Sequence, residues 1–222
     1  MAHYYDIKYP YLQYSYPDGI MCSVSPKLLA VLYKKHYGKK PKTFFDCGAA
    51  TGVVIKLAME YGMDARGVDV RDYFQCGWFA RHPLFGWMSP VWIEQCGKHK
   101  GVAKSDLAKL VTDGRIQIKS ILDCKPVKAD LVYCNGILTY FDDETLPSVL
   151  AKFQKTKMVC AIHNTIEDYK IAEQMGDCLG TCQTLKTVKS RDWWIKTFAE
   201  NGLDAKFNHW LRCFVATPQK QK

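Results

Sequence analysis

Between Thr43 and Gly52 the chain reads Thr-Phe-Phe-Asp-Cys-Gly-Ala-Ala-Thr-Gly, an apolar run that breaks into a glycine turn and opens an apolar helix from Val53 to Tyr61. A second short apolar run, Gly67-Val68-Asp69-Val70, ends on an acid. A strand, a tight turn, a helix and a second strand make an α/β unit with a parallel sheet. The turn lets a ligand approach the backbone, and the helix N-terminus after it favours a carboxylate or phosphate. An acid at the tip of the next strand can accept hydrogen bonds from both hydroxyls of a ribose. Together these features point to a nucleoside-cofactor site.

The glycine spacing narrows the choice. A dinucleotide fingerprint asks for Gly-x-Gly-x-x-Gly; counted from Gly48, the second and third positions are Ala50 and Val53. The pattern present is acid-x-Gly-x-x-x-Gly, formed by Asp46, Gly48 and Gly52. It resembles motif I of the class I S-adenosylmethionine-dependent methyltransferases, with Ala50 at the usual middle glycine. The resemblance implies that Asp46 orders the glycine loop and helps hold the methionine end of the cofactor. It also implies that Gly48, Ala49, Thr51 and Gly52 line the cofactor, with Asp69 and Val70 at its ribose.

Further stations follow in order. Arg115 to Asp123 reads as a strand leading to an acid, and the resemblance puts Asp123 beside the adenine. Ala129 to Phe141 reads as the fourth strand and its loop, with Asn135 as a cofactor-loop residue. The acids from Asp142 to Glu144 suit the start of a helix, and Lys157 to Ile162 is a buried-type strand. Ser190 caps a helix from Arg191 to Glu200 that Asn201-Gly202 stops, and two strand-like runs, Asp204 to His209 and Leu211 to Thr217, close the chain. The resemblance covers Lys42 to Pro218. It implies a three-layer α/β sandwich on a seven-stranded, mostly parallel sheet with an antiparallel C-terminal hairpin.

Two regions stand outside this alternation. Residues 1–24 form a tyrosine-rich lead-in without strand or helix periodicity; residues 25–222 make the methyltransferase-like domain, which Ser25-Pro26 begins with a capped helix. The connection from Val70 to Arg115 is far longer than the dozen or so residues a crossover needs. Lys104 to Thr112 supplies its helix, leaving an aromatic-rich insertion at about 71–101 that holds Trp78, Trp87 and His82. Both regions are expected either to roof the site and select the acceptor or to serve packing and subunit contact.

Composition excludes several classes. No run of about 18 apolar residues and no charged leader before an apolar stretch is present, so neither a membrane span nor a secretory signal is expected. Ten cysteines are scattered without a Cys-x-x-Cys pair, which reads as reduced thiols in a cytoplasmic protein and no metal site. Net charge is +9, and the run from Lys34 to Lys42 is either a solvated helix end or a phosphate-tracking surface for nucleic acid.

Methyl transfer from a sulfonium needs alignment, exclusion of water and, for some acceptors, a proton acceptor. The candidate bases are His163 and Tyr140, each after a strand at the cofactor edge, with His82 as a third. The Asn135-Gly136-Ile137-Leu138 stretch lacks the Pro-Pro-aromatic element of exocyclic-amine DNA methyltransferases, and resembles the small-molecule and general methyltransferases. The resemblance thus implies S-adenosyl-L-methionine as cofactor and a small-molecule or exposed O/N acceptor. The alternatives are an RNA- or protein-directed enzyme, or a cofactor-binding module without catalysis. Oligomeric state stays open.

Overall fold

The computed structural model describes residues 12–13, 22–23, 25–50, 52–70, 104–163, 165–174 and 187–219. Strands β1 (Leu12–Gln13) and β2 (Cys22–Ser23) form a two-stranded antiparallel ladder. Two residues per strand are too few to leave an alternating pattern, which is why none is legible in the lead-in. Helix α1 (Pro26–Tyr37) starts where expected: the Ser25 hydroxyl accepts from the Lys27 N–H at 3.2 Å, and Gly38 ends the helix at φ +71°.

The alternation then runs β3 (Thr43–Cys47), α2 (Val53–Glu60), β4 (Asp64–Asp69), α3 (Lys104–Thr112) and β5 (Ile116–Ile118). It continues with β6 (Leu131–Asn135), α4 (Leu146–Ala151), β7 (Met158–Ile162), α5 (Ile166–Gln174), α6 (Arg191–Glu200), β8 (Leu203–Asn208) and β9 (Cys213–Pro218). The third expected strand is shorter than its apolar run. Ser120 stops it by accepting the Leu122 N–H on its hydroxyl, and Ile121–Asp123 winds into one 3-10 turn.

The main sheet has seven strands in the order β5-β4-β3-β6-β7-β9-β8. Strands β3 to β7 pair in parallel, while β9 lies antiparallel between β7 and β8. The chain winds outward from β3 to β5 and then restarts at β6 on the other side of β3. The carboxyl ends of β3 and β6 therefore meet at a topological switch point, where open α/β sheets bind ligands.

Alternation along the strands sorts the core into two layers. Leu131, Tyr133, Met158 and Cys160 face α1, α2 and α3. Val132, Cys134, Val159 and Ala161 face α4 and α6, whose Trp194 and Phe198 are fully buried. Each large apolar side chain buried this way contributes roughly 1.5–3 kcal/mol, and the two layers hold the switch point rigid from both sides. The described cysteines 47, 124, 134, 160 and 213 are buried free thiols. Burial and a hydrogen bond with Cys47 raise the Cys134 pKa; a hydrogen bond with Cys213 and burial raise that of Cys160.

Candidate active site

The glycine turn sits at the carboxyl end of β3 and is tied to β4. The N–H groups of Gly48 and Ala49 both donate to the Val68 carbonyl at 2.9 Å, and the Ala50 N–H donates to Asp69 Oδ2 at 2.8 Å. Gly48 and Gly52 adopt φ of +84° and +82°, in the left-handed region that glycine enters without cost. Ala50 shares that region at φ +49°, so the methyl at the usual middle glycine occupies a strained backbone position. A Cβ on Gly48 would lie 3.1 Å from Ile137, so the turn and the loop after β6 are in contact.

Gly67 is a constraint that the sequence pattern did not single out. A Cβ there would sit 2.5 Å from the Asp46 carbonyl oxygen and 2.8 Å from Ile55 Cδ1. Only glycine lets β4 lie this close to β3 and α2. The available signal was a glycine placed just before the strand-ending Val68-Asp69.

Two carboxyls meet behind the turn. Asp46 is 2% exposed and Asp69 7%. Burial, and then the neighbouring Asp69 charge, push the Asp46 pKa up to about 8. No hydrogen-bond partner of the Asp46 carboxyl is found among the described residues. The Ala50 N–H of the glycine loop is held by Asp69. A buried carboxyl without donors calls for a proton or a cationic ligand.

Beside Asp69 the edge is apolar and open. Val70 is 63% exposed and Ile118, paired with Asp69 across β4 and β5, is 42% exposed. Asp123 is exposed on its 3-10 turn. Across the switch point, Asn135 ends β6 and pairs with Ile162, and the Gly136 N–H donates to the Ile162 carbonyl at 2.7 Å. The Thr139 hydroxyl donates to the Gly136 carbonyl at 2.9 Å and fixes this loop, with Tyr140 at its exposed end. The structure thus gathers Asp46, Gly48, Ala49, Gly52, Asp69, Val70 and Asn135 around one sheet edge. Thr51 and His82 lie outside the described residues.

His163 does not meet the role expected of it. It follows β7 at the correct edge, yet it is buried between Trp194, at 4.0 Å between ring centroids, and Phe214, at 4.9 Å. Burial pushes its pKa down to about 3, and neither ring nitrogen has a hydrogen-bond partner among the described residues. This is the geometry of a packing residue. Among the described residues, no group of three or more His, Cys, Asp or Glu side chains is placed to hold a metal ion.

No family model and no curated protein matches this sequence. Solved structures do match its fold. The crystal structure of the small RNA methyltransferase HEN1 superposes with a TM-score of 0.55 at 11% identity, over 88% of this chain and 25% of that one. The 1,6-didemethyltoxoflavin-N1-methyltransferase of Burkholderia thailandensis, solved with its acceptor and S-adenosylhomocysteine, gives 0.52 at 11% identity over 89% of this chain and 78% of that one. Magnesium protoporphyrin IX methyltransferase from Synechocystis PCC 6803, with bound S-adenosylhomocysteine, gives 0.51 at 11% identity over 87% and 82%. The fold is that of the class I S-adenosylmethionine-dependent methyltransferases. This chain spans about a quarter of the length of HEN1.

Within the methyltransferase fold, the far end of the same sheet edge is built differently. Asp168, 2% exposed, accepts the Thr165 N–H at 2.9 Å and the Thr165 hydroxyl at 2.6 Å. It also accepts from Arg191 Nη2 at 3.0 Å and from Arg212 Nη2. Arg191 lies over the Phe207 ring at 4.4 Å, and Glu167 accepts the Arg191 N–H at the start of α6. This network locks α5, α6 and the β8–β9 turn together. The tyrosine-rich segment beyond β1 and β2, and the 71–101 insertion, lie outside the described residues.

Proposed function

We propose that this chain is an S-adenosylmethionine-dependent methyltransferase. One observation carries the reading: a buried Asp46 carboxyl, without donors among the described residues, stands next to Asp69, behind a left-handed glycine turn at the switch point. These residues fit the cofactor. Asp46 suits the ammonium of the methionine end, whose charge would hold the carboxyl ionised. Asp69, oriented by the Ala50 N–H, suits the ribose hydroxyls. The exposed Val70 and Ile118 offer apolar contact to an adenine, with Asp123 available to its exocyclic amine. Asn135 belongs to the cofactor loop.

When bound, the cofactor supplies a methyl group activated on a sulfonium. The chain's own work is to bind, align and exclude water. Tyr140, 43% exposed beyond β6, is the described side chain placed to touch an acceptor. With His163 packed away, an acceptor that carries its own nucleophilic lone pair at neutral pH suits this site best. A small molecule with such an O or N atom is the acceptor class proposed; the toxoflavin-precursor and protoporphyrin enzymes that share the fold act on small molecules. Among the described residues no helix is long and apolar enough to cross a membrane, and with the free thiols this supports a cytoplasmic location.

Isothermal calorimetry with S-adenosylhomocysteine tests the reading. The wild-type chain binds, and Asp69→Ala weakens binding by about 1.5–3 kcal/mol for each charge-assisted hydrogen bond lost. Unchanged affinity in the variant would sink the assignment of Asp69. NAD should not compete, since the glycine spacing does not suit a pyrophosphate. Binding without turnover on any acceptor pool would mark a cofactor-binding module instead.

A further inference from the structure

The edge of the sheet opposite the glycine turn is as basic as the turn is acidic. Three segments enter it: 38–42 ahead of β3, 125–130 ahead of β6 and 152–157 ahead of β7. Together they hold eight lysines and a single acid, Asp130. They are distant in sequence but joined in space. The Lys42 N–H donates to Asp130 Oδ2 at 2.6 Å, the Val127 N–H donates to the Lys152 carbonyl at 2.8 Å, and the Tyr37 hydroxyl donates to the Lys157 carbonyl at 2.5 Å. Strands β3, β6 and β7 are consecutive in the sheet, so the three entries lie within about 10 Å of one another across it.

Lys39, Lys40, Lys42, Lys128, Lys155 and Lys157 are all exposed there. The acids nearest them are already paired: Asp64, opposite Thr43, with Arg66 and Arg115, and Asp130 with Lys157. Asp130 is committed inward, to the Tyr33 hydroxyl and to the N–H groups of Lys42 and Thr43, and among the described residues it pairs with Lys157, at 2.6 Å. Lys34 and Lys35 in the last turn of α1 continue the positive surface. By sequence alone, the 34–42 run can be read as a solvated helix end as well as a phosphate-tracking surface. The fold adds two further lysine segments to the same edge, and a helix end no longer explains them.

We propose that this amino edge is a docking surface for the phosphodiester backbone of a nucleic acid. Lysines are flexible point charges without the planar fork of arginine, so they suit phosphate contacts that ignore sequence. Nothing apolar accompanies them: the exposed large hydrophobic residues described, Val31, Val70, Ile118, Tyr140, Ile166 and Trp210, fall in none of the three segments. A membrane surface or a peptide groove would want such residues. The five residues of β3 separate this edge from the glycine turn by roughly 17 Å, so a nucleic acid held here need not touch the turn. The inference does not rest on the cofactor reading.

Fluorescence anisotropy with a labelled 20-nucleotide RNA and a DNA of the same sequence tests it on the full chain. Lys39→Glu/Lys128→Glu/Lys155→Glu reverses one exposed charge in each segment. Lys27→Glu/Lys170→Glu/Lys206→Glu changes net charge equally, away from this edge. The expected result is binding at 50 mM salt that falls about a hundredfold by 200 mM, the behaviour of roughly five phosphate contacts on a single strand. The edge variant should lose at least about tenfold in affinity and about two units of the log–log salt slope, while the control variant stays within about twofold. A stronger response to RNA than to DNA would name RNA as the partner. Three outcomes overturn the proposal: no binding at 50 mM salt, equal loss in both variants, or edge-dependent binding of phosphatidylserine vesicles without binding of nucleic acid. Calorimetry with S-adenosylhomocysteine on the edge variant should match wild type, so failure here and failure of the cofactor assignment are separately visible.

Discussion

Asp46 and Asp168 are both buried aspartates at the carboxyl edge of one sheet, and their surroundings are opposite. Asp168 is met by two arginines, a hydroxyl and a backbone N–H, while the Asp46 carboxyl has burial and a second acid for company. The first is a finished structure that ties α5, α6 and the β8–β9 turn. The second has no donor among the described residues. A buried carboxyl completed from within holds the fold together; one left incomplete is, on the proposed reading, the place for the cofactor's ammonium.

The largest way to break this contrast is Asp168→Ala. Removing the carboxylate takes the shared partner from the buried Arg212 and the half-buried Arg191, and stability should fall by about 3–5 kcal/mol. Urea denaturation measures this, and a loss under about 1 kcal/mol would mean that the network is ornamental. Asp46→Asn should act in the other direction on the free protein. With a folded-state pKa of about 8 against an ordinary carboxyl pKa near 4 when unfolded, Asp46 binds more protons in the folded state. Stability of the free chain therefore falls as pH rises from about 4 to 8.

The asparagine removes that decline and should make the free chain more stable than wild type at pH 8, by about 1–2 kcal/mol. The same change should weaken S-adenosylhomocysteine by about 1.5–3 kcal/mol. In wild type, affinity should climb between pH 6 and 8, because the proton on Asp46 must leave before an ammonium can pair with it. A flat binding profile with pH would remove Asp46 from the ligand. The smallest effect expected is that of Ala50→Gly. Relief of the left-handed strain, offset by greater chain freedom when unfolded, should give a gain of about 0.5–1 kcal/mol. A loss would mean that the methyl packs against something worth more than the strain.

The parts of the fold legible in the sequence are those where one local rule acts alone. Ser190 caps α6 because its hydroxyl accepts the Trp193 N–H, and the helix runs over Arg191–Glu200 as the pattern predicts. The spacing from Asp46 to Gly52 and the acid ending β4 were likewise sufficient to place the turn. What the sequence hid depends on neighbours far along the chain. Whether His163 faces the site or the core is decided by Trp194 and Phe214, which come from α6 and β9. The reach of β5 was set by a hydroxyl turned back on the backbone at Ser120 rather than by apolar residues. The meeting of Lys39, Lys128 and Lys155 follows from strand order, which no window of sequence contains.

The double grip of the Val68 carbonyl on the Gly48 and Ala49 N–H groups has a kinetic consequence. Those bonds fasten the turn to β4 before any ligand arrives, so its conformational freedom is already surrendered during folding. On the proposed reading, the cofactor would meet a cradle already formed and need not wait for one. Its arrival rate is then governed by collision and by access to the edge, and its residence time by the contacts it makes once seated.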